Sequence, residues 1–113
     1  MGNVVQLNTV EDWQSKLRSS SDKPVFVFKH STRCPVSADA YDQYMIYMNR
    51  EPNPEVEYCL VHVVESRPVS NAISEALSLK HESPQAILIK DGKVAWHTSH
   101  WRITKESLKE NLK

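Results

Sequence analysis

The stretch FKHSTRCPVSADAY, residues 28–41, holds the residues best suited to chemistry in this chain. Cys34 stands directly before Pro35, and Ser37 follows three positions later. A thiolate is the nucleophile of thiol–disulfide exchange. Ser37 lies close to one helical turn away and on the same side, so its hydroxyl could donate to that thiolate. A serine cannot attack a mixed disulfide at sulfur and resolve it. The pattern therefore predicts one-cysteine exchange, in which Cys34 takes a group from a substrate disulfide and keeps it until another thiol arrives. The competing reading, a small hydrophobe packed under a helix start, fits poorly with Pro35 and the polar HSTR just before the cysteine.

The other candidates are read against their surroundings. Cys59, between Tyr58 and Leu60-Val61, reads as inert core in a central strand, with a resolving or regulatory thiol as the alternative. Pro84, in HESPQAILI, sits immediately before a strand, where it either starts the strand or forms a cis turn. Arg33 could pair with the thiolate, receive an anionic substrate, or simply be solvated. His30 reads as a strand-end residue, with an influence on the Cys34 thiol as the alternative, and His62 as a strand residue with a core or interface role. HTSHW, with His97 and His100, has no carboxylate or cysteine close by, so no metal site is expected.

Several elements must position these residues. VVQL (Val4 to Leu7) has the look of a short edge strand. Thr9 can cap a helix in which Val10, Trp13 and Leu17 recur at helical spacing, with Asp12 completing a capping box. VFVF, from Val25 to Phe28, is the strongest strand signal; with no polar alternate, it is covered on both faces, as in a parallel sheet. A long helix is predicted from about Cys34 to Asn49, its apolar stripe made by Tyr41, Tyr44, Met45 and Met48. A second buried strand runs from Val56 to Val64. Pro68 then opens a helix with Val69, Ala72, Ile73, Ala76 and Leu77 on one face. QAILIKDGKVAWH reads as a hairpin turning at Asp91-Gly92. Thr104 can cap a last helix, with Ile103 and Leu108 at staple positions.

The predicted order is β-α-β-α-β-α-β-β-α: an α/β fold with a central mixed sheet and helices on both faces. Cys34 falls where a buried parallel strand hands over to a helix. Ligands of α/β sheets collect beyond such strand ends, and the positive end of a helix suits an anionic nucleophile.

The 113 residues fit one domain, 1–113, with a modest core. A 40% hydrophobic and 25% charged composition is that of an ordinary globular protein. The formal net charge is zero and no basic tract stands out, which argues against nucleic acid or an anionic membrane as partner. MGNVVQLNTVEDW does not read as a signal peptide, and no segment approaches a membrane-spanning length. Two cysteines in such different settings are no disulfide framework, so a cytoplasmic location is expected.

At this point a resemblance carries further. The element order resembles a complete thioredoxin fold, and CPVS resembles a redox CxxC motif whose second cysteine has become serine. SPQAILIKDGKVAW resembles the stretch in which thioredoxin-like proteins carry a cis proline, a strand, a tight turn and the last strand. More narrowly, FKHSTRCPVSADA together with HESPQAILIKDGK resembles the bacillithiol-system monothiol bacilliredoxin family, over nearly all of the 113 residues. That family has a TCPxS-type site. Here Arg33 stands between Thr32 and Cys34, and the Cys-Pro-x-Ser register is intact.

The resemblance implies that Cys34 is the bacillithiol-accepting nucleophile and Ser37 occupies the former resolving-cysteine position. It implies that Pro84 is a cis proline, preceded by Ser83, whose backbone pairs with a bound thiol substrate. Thr32, Arg33 and Pro35 complete the implied substrate-binding set. The implied activity is a thiol–disulfide oxidoreductase that removes bacillithiol from protein mixed disulfides. It would need no bound cofactor, take bacillithiol as co-substrate, and act on S-bacillithiolated cytoplasmic proteins. A monothiol-glutaredoxin-like iron–sulfur carrier, a thiol peroxidase and a redox-inactive thioredoxin-fold binding module stay open beside it.

Overall fold

The computed structural model describes residues 3–50 and 52–112. The elements run β1 (Val4–Gln6), α1 (Val10–Ser19), β2 (Val25–His30), α2 (Pro35–Arg50), β3 (Glu57–His62), α3 (Arg67–Leu77), β4 (Gln85–Lys90), β5 (Lys93–Ser99), a short 3-10 turn at His100–Arg102, and α4 (Lys105–Asn111). The five strands form one sheet in the order β1-β3-β2-β4-β5. β3 pairs in parallel with both β1 and β2, whereas β4 runs antiparallel to β2 and to β5. The element order is the one the sequence predicts, and the sheet is mixed.

β2 lies at the centre, and its first four residues carry no side-chain group that needs water. Val25, Phe26, Val27 and Phe28 are all fully buried, each side chain contributing about 1.5–3 kcal/mol of burial. Successive side chains of a strand point to opposite faces, and two separate cores result. On one face Phe26 and Phe28 pack with Tyr58, Leu60 and Leu88 against Ala40, Tyr44 and Met48 of α2 and Leu108 of α4. On the other, Val25 and Val27 join Cys59, Val61, Ile87 and Ile89 under Trp13 of α1 and Val69 and Ile73 of α3.

Local signals place the ends of these elements. Thr9 Oγ1 accepts from the Asp12 N–H at 3.1 Å, and Asp12 Oδ2 accepts from the Thr9 N–H at 3.2 Å, closing the capping box of α1. The β4–β5 turn uses Asp91 at φ 52° and Gly92 at φ 74°, the two positive φ values that a tight two-residue hairpin requires. Some boundaries differ from expectation. α2 begins at Pro35 rather than Cys34, and its buried stripe takes in Ala40 and Tyr47, with Tyr41 and Met45 only partly covered. Two polar residues, Lys29 and His30, extend β2 beyond Phe28, and both are buried. Ala76, predicted on the apolar face of α3, is exposed.

Candidate functional site

β2 and β3 are parallel and end side by side, with His30 opposite His62. The chain leaves β2 at His30 and turns through Ser31–Cys34, where the Cys34 N–H donates to the Ser31 carbonyl at 3.2 Å. The Cys34 carbonyl accepts the first bond of α2, from the Ala38 N–H at 3.1 Å. Cys34 therefore caps α2 with its backbone, and Pro35 occupies the first helical position, where a missing N–H costs nothing. The thiol is half-buried. Thr32, Arg33 and Pro35 around it are all exposed. The local arrangement is a thiol on a polar rim at the positive end of a helix.

Ser37 is turned inward. It is fully buried, its Oγ accepts from the Ser31 N–H at 2.9 Å, and His30 Nδ1 lies 2.7 Å away. With the imidazole proton on Nε2, the hydroxyl donates to Nδ1 and its only proton is committed to the ring. Helical spacing predicts a hydroxyl available to Cys34; in the structure the hydrogen bonds of Ser37 are to His30 and Ser31 instead. The His30 ring is stacked on Tyr41, with centroids 4.9 Å apart, and on Phe28 at 5.7 Å. Burial first, and then neighbouring His62, hold the His30 pKa below 6.5, against the opposing effects of Glu65 and of a hydrogen bond to the Ser37 main chain. The ring is thus neutral at pH 7, as a bond accepted from Ser37 requires.

The second part of the site comes from the other side of β2. Lys29 pairs with Gln85 in antiparallel register, so the residues just before β4 stand beside the end of β2. The Ser83–Pro84 peptide bond is cis. The Pro84 carbonyl accepts from the His100 N–H at 3.1 Å, which fastens the start of the 3-10 turn to this segment. Among the described residues none hydrogen-bonds to the Ser83 main-chain N–H or carbonyl.

Cys59 is the other cysteine. It is fully buried in β3 between Val5 and Val27, and burial pushes its pKa up to about 12. A hollow of about 640 Å³ lined by Lys16, Arg50, Asn53 and Tyr58 opens at the opposite, N-terminal ends of β2 and β3 and has no part in the thiol site. His30 is the last residue of β2, as its sequence predicts, and only the fold shows that it holds Ser37. Lys29, buried, and His81, exposed at the surface, meet behind the site and carry no local signal; the partners of Lys29 come from α3 and the connection to β4.

Comparison with known proteins agrees with this geometry. Residues 5–108 match the family model described as monothiol bacilliredoxin BrxC. A solved structure described as a candidate oxidoreductase with a thioredoxin fold is 30% identical, with a TM-score of 0.83, and the match covers 97% of this chain and 94% of that one. Thioredoxin from Fasciola hepatica, 19% identical, superposes with a TM-score of 0.73 over 96% of this chain and 95% of its own. Thioredoxin from Trypanosoma brucei brucei, 15% identical, gives 0.76 over 97% and 88%. The two thioredoxins share the fold; the family model and the 30% identical structure share more. With one cysteine at the start of α2 and a serine instead of a second cysteine three residues on, the thioredoxin-like chain has a monothiol, oxidoreductase-type site, and it belongs to the monothiol bacilliredoxin family.

Proposed function

We propose that the chain, acting as one domain over residues 1–113, removes bacillithiol from protein mixed disulfides. The Cys34 thiolate attacks the sulfur of the bacillithiol half of the substrate disulfide. A new disulfide forms between Cys34 and bacillithiol, the old one breaks, and the substrate cysteine leaves as a thiolate that takes up a proton from water. The exchange is redox-neutral within the pair. A second low-molecular-weight thiol, as its thiolate, then attacks the bacillithiol sulfur of the adduct; a disulfide forms between the two small thiols and Cys34 leaves as the thiolate.

The observation that carries this reading is the fate of the resolving position. Ser37 is buried and hydrogen-bonded to His30 and Ser31, and Cys59 is sealed in the sheet. No second thiol of the chain is placed to clear an adduct, so the adduct must await an external thiol. Ser83 supports the same reading, because its main-chain N–H and carbonyl are uncommitted and can pair with an extended substrate segment as a short strand would. In this proposal Cys34 is the catalytic residue. Ser37 acts by holding the turn that carries it, and Thr32, Arg33, Pro35, Ser83 and Pro84 form the surface that meets the substrate. The substrates would be S-bacillithiolated cytoplasmic proteins, with no bound cofactor required. No helix among the described residues is long and apolar enough to cross a membrane.

The test is to load one target protein, in separate preparations, with bacillithiol, glutathione or coenzyme A as the mixed disulfide. Release of the target thiol is then followed with the wild type and with Cys34→Ser. Fast release from the bacillithiol form by the wild type alone is expected. Equal release from all three forms would remove bacillithiol from the proposal, and release by Cys34→Ser would remove Cys34.

A further inference from the structure

The connection from Ser78 to Pro84 brings Ser83 to the thiol end of the sheet, yet little main-chain bonding holds it. The Leu79 N–H donates to the Ser74 carbonyl at 3.1 Å. Beyond that, no main-chain group of His81, Glu82 or Ser83 bonds to another main-chain group among the described residues. Side chains supply the attachment: Lys29 and Gln85, which face the same way across β2 and β4, and the Glu82 carboxylate, which accepts a hydrogen bond from Ser99 of β5. Lys29 and Gln85 are buried, at 0% and 1% exposure. Gln85 Nε2 donates to the Lys80 carbonyl at 3.1 Å. Lys29 Nζ donates to the Ser70 carbonyl at 3.1 Å, to Ser74 Oγ at 2.9 Å and to His81 Nδ1 at 3.3 Å.

This lysine is unusual in its company. All three acceptors are neutral, and the one ion pair between described residues, Lys16–Glu57, lies elsewhere. Burying a charge without a counter-charge is costly, and an apolar side chain of similar volume would fill the space more cheaply. What the ammonium adds is direction: three protons meet three acceptors, two on α3 and one on the connection.

We propose that Lys29 is a positioning residue for the exchange site, which through His81 fixes the segment that presents Ser83 to a substrate held at Cys34. This rests on the role given to Ser83 above. His81 is suited to the task as a neutral acceptor. Its Nδ1 faces both Lys29 Nζ and, at 3.4 Å, Ser70 Oγ. Burial first, then Lys29 and Arg67, lower its pKa, against the opposing Glu82 of its own segment. The groups packed around the pair are Arg67, Ser70 and Ser74 from α3, Gln85 from β4, and Lys80 and Glu82 from the connection. Because Nδ1 receives the bond, the ring proton resides on Nε2, and a second proton would put an N–H against an ammonium.

Two variants test this. Lys29→Met removes the donor inside the sheet, and His81→Ala removes the acceptor at an exposed position where folding is not at stake. Three readouts apply: transfer from a bacillithiolated protein to Cys34 as a function of substrate concentration, reaction of Cys34 with 5,5′-dithiobis(2-nitrobenzoate), and amide hydrogen exchange at residues 80–83. Both variants should raise the half-saturating protein concentration about ten-fold, the loss expected for one charge-assisted hydrogen bond. The maximal transfer rate and the reaction with the small aromatic disulfide should stay within about two-fold. Exchange at 80–83 should quicken in both variants while the strands stay protected. A His81→Ala protein with unchanged half-saturation and unchanged exchange would overturn the proposal. So would a Lys29→Met protein whose only change is lower overall stability. If the wild type accepts no adduct from any protein, the functional reading falls, while the exchange measurement still decides whether Lys29 and His81 fix the segment.

Discussion

His30 Nδ1 and Ser37 Oγ stand 2.7 Å apart and join the last residue of β2 to the first turn of α2 across the bend that carries Cys34. The Ser31 N–H closes the same small network on Ser37 Oγ at 2.9 Å. Ser37 thus has a structural use: it ties strand, turn and helix together at the bend that carries the Cys34 thiol. Removing the hydroxyl leaves the N–H of half-buried Ser31 and the ring nitrogen of buried His30 without their partner. Ser37→Ala should lose about 1–3 kcal/mol of unfolding free energy, read by urea denaturation at pH 7.5. A loss below about 0.5 kcal/mol would mean that the network adds little beyond what water supplies.

Acid should loosen the same junction. His30 is held neutral in the fold with its pKa below 6.5, chiefly by burial and next by His62. The unfolded chain therefore binds the proton more readily than the folded one. Stability is present above about pH 6.5 and falls as pH drops from there toward the lower folded value. His81, lowered for similar reasons, adds to the same slope. Denaturation series from pH 7.5 to 5 on the wild type, His30→Gln and His81→Ala should show a shallower acid loss in each variant. Parallel curves would show that neither histidine drives it.

Lys29 gives the opposite end of the pH scale a signature. Burial lowers its pKa from 10.5 to about 8, so between these values the unfolded chain carries a proton that the folded chain has released. Unfolding free energy should therefore rise from about pH 8 toward 10.5 through this group, because the buried charge disappears while the unfolded lysine keeps its own. Lys29→Met should lack this rise. A wild type and a variant with identical alkaline slopes would show that the ammonium is not held at a low pKa.

Much of this was legible in the chain, and the misses share a cause. Val25–Phe28 read as buried on both faces because four apolar residues in a row leave no polar side, and Asp91-Gly92 read as a turn because both residues tolerate positive φ. Those are local facts. Lys29 has no local mark of burial: its acceptors on Ser70, Ser74 and His81 lie 41 to 52 residues further along the chain, and only the packing of α3 on the sheet collects them. Ser37 shows a finer limit. Helical periodicity places it near Cys34, but which neighbour its hydroxyl chooses depends on a ring delivered by β2. His100, at φ 54°, opens a 3-10 turn that nothing in HTSHWR announces.

Reactivity should separate the two cysteines cleanly. Cys34 is half-buried on a polar rim, whereas Cys59 is sealed between β1 and β2 with its pKa pushed up to about 12. Native protein treated with iodoacetamide at pH 8 should gain one label, on Cys34, and protein unfolded in guanidinium should gain two. Two labels on the native chain would place Cys59 within reach of solvent and reopen it as a resolving thiol.

The central claim is that Cys34 alone receives and retains the group it removes. Intact-mass analysis after incubation with a bacillithiolated protein, with no other thiol present, tests it most directly. The expected result is one bacillithiol adduct on the wild type, mapped to Cys34, persistent until free bacillithiol is added, and absent from Cys34→Ser. A wild-type chain that gains no adduct, or that returns unmodified with an internal Cys34–Cys59 disulfide, would contradict it.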